Sequence, residues 1–321
     1  MRAIQIAAPG RAVLGEVERP VAGPGEVLVR VLRVGLCPTD RRLTATAPRP
    51  GLIPGHEIGG VLPDGTAVGV HPDVGCGNCK ECQAGFENRC PSRRSIGVDR
   101  DGGMAEWVAV PQAHVVPLDG VDAQLAPLLE PLACCLHALA LLEAQPGDCA
   151  LVVGAGPMGL LHVLLLRSMG IPVVVSQRSP ERRRLALELG ADAVVGAGED
   201  ARAVLSGVPT MAIVTAPEGE AVRYAMESVD VGGRVHVFAG LRGDPTVDGN
   251  TIHYRHLRVI GSTGSRLSDY QAARALAAER RVDLSRLPLR WVPFELLAEL
   301  LSRPAREAAR TVADLERSDG A

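Results

Sequence analysis

The stretch GCGNCKECQAGFENRC, from Gly75 to Cys90, places Cys76, Cys79, Cys82 and Cys90 at C-x2-C-x2-C-x7-C spacing. Four thiolates at about 2.3 Å satisfy a tetrahedral zinc and leave no open coordination position, the chemistry of a structural site. A four-cysteine iron–sulfur cluster uses the same ligands and stands as the alternative on spacing alone. Disulfides belong to oxidising compartments, and the chain opens MRAIQIAAPG, an extended pattern with no cleavable signal. The expected location is therefore the cytoplasm, where clustered cysteines bind metal.

A second chemical signature is VVGAGPMG, which sets Gly154, Gly156 and Gly159 in G-x-G-x-x-G spacing around Pro157 and Met158. These glycines permit a tight turn, close approach of the backbone to a pyrophosphate, and close packing of helix on strand. The motif follows an apolar strand pattern and opens an apolar helix pattern, which is the context it requires. The next strand ends VVVSQRSPERR. After Ser176, Gln177 stands where an NAD site carries an acidic residue, Arg178 follows at once, and Arg182 lies one helical turn on. A missing acid beside an arginine is how such a site accepts a 2′-phosphate, so NADP(H) is expected ahead of NAD(H). Arg183 and Arg184 read as a solvated helix face.

A third set is dispersed. GLCPTD supplies Cys37, PGHEIGG supplies His56 and Glu57, and LLEPLACC supplies Glu130. Borderline-soft ligands together with carboxylates, next to a nucleotide-binding unit, suit a catalytic zinc with an exchangeable position.

Two domains must position these groups. The 321-residue chain is long for one domain and comfortable for two. Its composition is that of a soluble globular protein, with aromatics so scarce, at 2%, that the cores must be aliphatic. A net charge of −3 gives no electrostatic reason for a nucleic-acid or anionic-membrane partner. Residues 1–123 show short β-like runs (EVLVRVLRVG, EWVAV, HVVPL) between Gly/Pro turns, as in a partly open β domain. From about residue 124 to 263 strands and helices alternate, which predicts a doubly wound parallel sheet. Residues 264–321, beginning with the helix pattern SDYQAARALAAERR, are expected to complete the β domain.

GHE, the four-cysteine lobe, GAGPMG and their order make the sequence resemble the medium-chain, zinc-dependent alcohol dehydrogenases, from the first strand to the tail REAARTVADL. The pair Glu130–Pro131 places the likeness in the polyol, sugar and threonine dehydrogenase branch. The resemblance implies a GroES-like, partly open β-barrel beside a Rossmann domain. It implies two zinc ions per chain, one structural on Cys76, Cys79, Cys82 and Cys90 and one catalytic on Cys37 and His56. Glu57 and Glu130 become direct, alternating or water-mediated ligands. Thr39 passes the substrate proton, and Asp40 orients the imidazole of His56. The activity implied is hydride transfer between a nicotinamide and a secondary alcohol or ketone of polyol, sugar, cyclitol or amino-alcohol type, in a homodimer or homotetramer. The rivals are a zinc-independent quinone or enone reductase of the same superfamily and a non-catalytic nucleotide-binding relative.

Three features depart from the family pattern. Arg42 stands where many members carry a relay histidine. DGTAVGV follows GHEIGG sooner than usual, and LPLRWVPFELLAELL is compressed. The remaining cysteines, Cys134, Cys135 and Cys149, are expected to be small core residues.

Overall fold

The computed structural model describes residues 1–204, 207–243, 245–303 and 309–316. Residues 304–308 and 317–321 of the tail, expected above to belong to the β domain, lie outside the described residues. The chain divides into two compact units, Met1–Ala133 with Gly264–Arg280 and Leu289–Ala321, and Cys134–Thr263 with Arg281–Pro288.

In the first unit, β1 (Arg2–Ala8) and β2 (Arg11–Glu16) form an antiparallel pair. There follow β3 (Glu26–Gly35), α1 (Pro38–Thr46), β4 (Glu57–Val61), β5 (Ala67–Val70), β6 (Asp73–Val74), α2 (Lys80–Gln83), β7 (Arg94–Ser95), β8 (Trp107–Pro111) and β9 (Val115–Pro117). β3 organises the main sheet. Its first half pairs with β8, its second half with a strand from the chain's end, and its other edge with β4. β4 then pairs with β5, and β5 with β9. Alternate residues of β3 (Val29, Val31) point into an aliphatic core with Ile58, Val68, Val70, Val108 and Val110, the period-2 burial of a strand with one face inward. The 3-10 turn Ala123–Leu128 packs on β4, where a Cβ at Gly59 would lie 2.7 Å from that of Ala126. That contact carries the first unit past residue 123, the expected boundary.

α3 (Leu129–Leu141) leads into the second unit. Together with the 3-10 turn it makes one stretch, Ala123–Leu141, long and apolar enough to cross a membrane, yet 67% of its apolar window is buried inside the protein, as in a core helix. Next come β10 (Ala150–Val153), α4 (Pro157–Ser168), β11 (Val173–Ser176), α5 (Pro180–Glu188), β12 (Ala193–Val195), β13 (Met211–Val214), α6 (Gly219–Ser228), β14 (Arg234–Val237), α7 (Gly249–Tyr254) and β15 (Arg258–Gly261). The strands make one parallel sheet in the order β12-β11-β10-β13-β14-β15. Residues Ala150–Leu151–Val152 and Val173–Val174–Val175 are wholly buried, as expected for strands covered on both faces. The order reverses between β10 and β13, where ligands bind at the carboxyl ends of such sheets.

The chain closes with α8 (Leu267–Ala278), β16 (Leu289–Pro293), α9 (Leu297–Leu301) and β17 (Arg310–Asp314). β17 pairs with β3, so the first and last parts of the sequence share one sheet. Residues 281–288, expected in the β domain, pack in the second unit instead, and Arg286 donates to the carbonyl of Glu188.

Candidate active site

Cys37 caps α1. Pro38 occupies the first helical position, and the carboxylate of Asp40 accepts the backbone N–H of Cys37 at 2.8 Å. The other oxygen of Asp40 accepts the N–H of Gly55 at 3.2 Å and lies 3.3 Å from Nδ1 of His56. One fully buried carboxylate thus ties the segment carrying Cys37 to the segment carrying His56. His56 enters β4 beside Glu57. Gly35 is the register partner of Glu57 on β3, and a Cβ there would stand 2.0 Å from the Glu57 carboxylate, so only glycine leaves room for it.

Ligand atoms of Cys37, His56 and Glu57 all lie within 4.8 Å of one another. Burial alone would raise the Cys37 thiol, but His56 opposite brings it below its ordinary value. Burial likewise disfavours the imidazolium, but Asp40 and Cys37 outweigh it and hold His56 well above the usual histidine range. The cluster therefore stabilises positive charge between its anionic groups, which is what a divalent cation provides.

Arg310, not singled out from sequence, completes the surroundings. Its Nε donates to Oε2 of Glu57 at 3.0 Å, and a second guanidinium nitrogen meets Oε1. The pair is fully buried. The residue sits in the tail that carried the family likeness, but only the pairing of β17 with β3 reveals its task. Glu130 is not gathered into the Cys37–His56–Glu57 group. It is buried in the first turn of α3, and its charge acts on Tyr270, whose phenol is raised far above its usual range chiefly by burial and then by Glu130. Thr39 is half-buried in the first turn of α1, and Arg42 is exposed.

The four lobe cysteines also converge, with sulfur atoms within 4.8 Å. Gly77 and Gly85 have φ of +77° and +76°, turns that a side chain disfavours. Backbone N–H groups of Asn78 and Cys79 draw the Cys76 thiol down to about 6, whereas burial pushes Cys82 up to about 12. Four sulfurs this close cannot all ionise without a cation among them. His71 and Asp73, which precede the lobe, do structural work. His71 faces His114 and the carbonyl of Ser265, and Asp73 accepts the hydroxyl of Ser95 at 2.7 Å.

In the second unit the glycine loop joins β10 to α4. Gly154 has φ +106°, Gly156 caps α4 with open space where a Cβ would project, and a Cβ at Gly159 would collide with the carbonyl of Gly154 at 1.9 Å. Pro157 and Met158 form the first turn of α4, which has no side-chain cap at Gly156, and the N-terminus of such a helix suits an anion. At the end of β11, Ser176 is buried and donates to the carbonyl of Gly196. Gln177 accepts the N–H of Ser179 at 3.1 Å, and Ser179 caps α5 by accepting the N–H of Arg182. Arg178 is 81% exposed, with Glu218 at 4.0 Å.

Residues 23–120 match the alcohol dehydrogenase GroES-like domain family and residues 157–279 the zinc-binding dehydrogenase family. The chain is 32% identical to the L-galactonate-5-dehydrogenase of Escherichia coli (strain K12), over 92% of each chain. It is 32% identical to the D-altritol 5-dehydrogenase of Agrobacterium fabrum, over 97% of this chain and 98% of that protein. A crystal structure from Sinorhizobium meliloti 1021, described as a zinc-binding dehydrogenase bound to NADP, superposes with a TM-score of 0.90 at 30% identity, over 98% of each chain. The chain belongs to the medium-chain, zinc-dependent alcohol dehydrogenases, in their polyol, sugar and threonine dehydrogenase branch, and is an NAD(P)-dependent oxidoreductase.

Proposed function

We propose that this protein interconverts a secondary alcohol carrying further hydroxyl, carboxylate or amino groups with its ketone, using a zinc held by Cys37, His56 and a carboxylate. The observation that carries this reading is the convergence of Cys37, His56 and Glu57 within 4.8 Å, with Asp40 against the imidazole. One thiolate, one imidazole and one carboxylate form a donor set suited to zinc, with fewer protein ligands than a closed cage. When bound, the zinc supplies Lewis-acid polarisation of the substrate oxygen, and the nicotinamide gives or takes the hydride. Asp40 fixes the ring of His56 through Nδ1 and leaves Nε2 for the metal. Arg310 holds the Glu57 carboxylate in place. Thr39 passes the proton of the alcohol, and the exposed guanidinium of Arg42, always protonated, takes no part in accepting it. Glu130, outside the close group of Cys37, His56 and Glu57, serves the zinc as an alternating or water-mediated carboxylate. Cys76, Cys79, Cys82 and Cys90 hold a second, structural zinc.

The coenzyme preferred is NADP(H). Gln177 carries no charge to repel a 2′-phosphate, and Arg178 is exposed beside it, with Arg182 one turn on. A hydrogen bond to a charged group is worth about 1.5–3 kcal/mol, which corresponds to roughly tenfold to a hundredfold in affinity. The enzyme works in the cytoplasm as a homodimer or homotetramer. Supporting the oligomer, β15 lies at the edge of the six-stranded sheet with Val259 and Ile260 half-buried.

The test is a panel of polyols, aldonates, cyclitols and amino-alcohols offered with each coenzyme, with the reduced nicotinamide followed by absorbance. Oxidation should be lost on metal chelation and restored by zinc, and kcat/KM should favour NADP(H) by tenfold or more. Turnover that survives complete zinc removal would sink the catalytic reading. A tenfold preference for NAD(H) would sink the coenzyme reading.

A further inference from the structure

The loop after β13 is anchored to the dinucleotide loop. The hydroxyl of Thr215 donates to the carbonyls of Val153 and Gly154, each at 3.1 Å, and a Cβ at Gly154 would lie 2.7 Å from that hydroxyl. The N–H of Arg242 holds the next carbonyl of this loop, at Pro217. Glu218 follows, at the N-cap of α6. Its backbone is extended in the manner of a cap, yet its side chain makes no capping hydrogen bond. The carboxylate reaches toward Arg178 instead, 4.0 Å away. Arg178 follows β11, Glu218 follows β13, and these strands flank β10 on either side. The two charges therefore meet at the carboxyl edge of the sheet, beside the glycine loop.

We infer that Glu218 is a specificity-determining residue that competes with the coenzyme 2′-phosphate for Arg178. This rests on the reading of Arg178 as the phosphate ligand. While the 2′ position carries only a hydroxyl, the guanidinium keeps its partner. A 2′-phosphate brings nearly two negative charges and must draw the guanidinium away from Glu218 before forming a charge-assisted contact. Glu218 thus moderates the preference for NADP(H) that Arg178 creates. Both side chains are substantially exposed, so solvent screens the competition and keeps it modest.

The experiment is titration of wild type, Glu218→Gln, Arg178→Ala and the double variant with NADPH and with NADH, followed by nicotinamide fluorescence. The glutamine keeps the size of the side chain, and no capping hydrogen bond is lost. Glu218→Gln should tighten NADPH about two- to fivefold, the span that an exposed ion pair covers, and move NADH by less than about 1.5-fold. In the Arg178→Ala background the same change should tighten NADPH by less than about 1.5-fold. An equal gain in that background would mean that Glu218 repels the phosphate directly, and the inference would fall. If Arg178→Ala weakens NADPH while Glu218→Gln is silent, the inference falls and the coenzyme reading stands. If Arg178→Ala leaves NADPH affinity unchanged, the coenzyme reading fails and takes the inference with it.

Discussion

Cys76, Cys79, Cys82 and Cys90 come from one short stretch, whereas Cys37, His56 and Glu57 come from two segments, and the arginine on Glu57 lies 253 residues further along the chain. The lobe has four like ligands and is shaped by local turns at Gly77 and Gly85. The mixed cluster depends on the helix cap at Cys37, the register of β3 with β4, and the return of β17 to β3. The two groups differ in the donors they offer as well as in assembly. Four thiolates close a site, while a thiolate, an imidazole and a carboxylate that already has an arginine partner leave it adjustable. Local construction suits a part that stabilises, and long-range construction suits a part whose geometry the whole sheet must fix.

The largest expected effect breaks the closed site. Cys79→Ser removes one of four thiolates from a centre whose metal binding is also folding free energy, about 10–16 kcal/mol in zinc-finger peptides. The variant should lose the lobe zinc and melt at least about 10 °C lower in calorimetry. A melting temperature within a degree or two of wild type would mean that the lobe has no structural task.

Arg310→Met probes the mixed cluster. It strands a buried carboxylate, at a cost of about 3–5 kcal/mol. Adding Glu57→Gln should recover a large part of that loss, because the stranded charge goes with it. Denaturant unfolding measures both variants, and additive losses would show that the two residues do not act as a pair.

Asp40→Asn sharpens the contrast without dismantling either site. Weakening the partner of a metal-binding histidine typically costs ten- to a hundredfold in metal affinity. Competition with a chelator should show that loss for one zinc only. Equal loosening of both would erase the distinction.

The smallest effect concerns buried histidines. Burial disfavours the imidazolium of His56 in the first unit, but Asp40 and Cys37 beside it outweigh that and raise it. In the second unit, His162 and His236 are wholly buried with Nε2 and Nδ1, respectively, finding no partner, and burial lowers each to about 4. An unfolded histidine takes its proton near pH 6.5, whereas these two remain neutral until about pH 4. The unfolded state therefore binds more protons in that window, and stability falls as pH drops from about 6.5 toward 4, by about 1 kcal/mol per pH unit for each group. His236→Gln should flatten that slope. An unchanged slope would place the acid sensitivity elsewhere.

The same contrast explains what the sequence discloses. The central strands β10, β11 and β13 coincide with apolar runs, because strands covered on both faces need near-continuous Val, Ile and Leu. The gathering of Cys76, Cys79, Cys82 and Cys90 was legible because the four residues are alike and close in sequence. The triad of Cys37, His56 and Glu57 was legible only as a combination whose meaning came from the family. Arg310 was not legible, since one arginine in an arginine-rich chain carries no local signal and its role arises from strand pairing. That the first unit runs on to Ala133 was not legible for a similar reason, as the packing of Ala126 and Pro127 on β4 depends on Gly59 leaving space.

The central claim is that two metal centres divide the labour, one holding the fold and the other the reaction. The most direct test is to count zinc by elemental mass spectrometry in wild type and Cys37→Ser, with turnover and NADPH binding measured on the same samples. We predict about two zinc ions per chain in wild type and about one in the variant, with melting and NADPH binding retained and turnover lost. A variant that keeps two zinc ions and oxidises the alcohol at the wild-type rate, or iron in place of zinc in the lobe, would contradict the account.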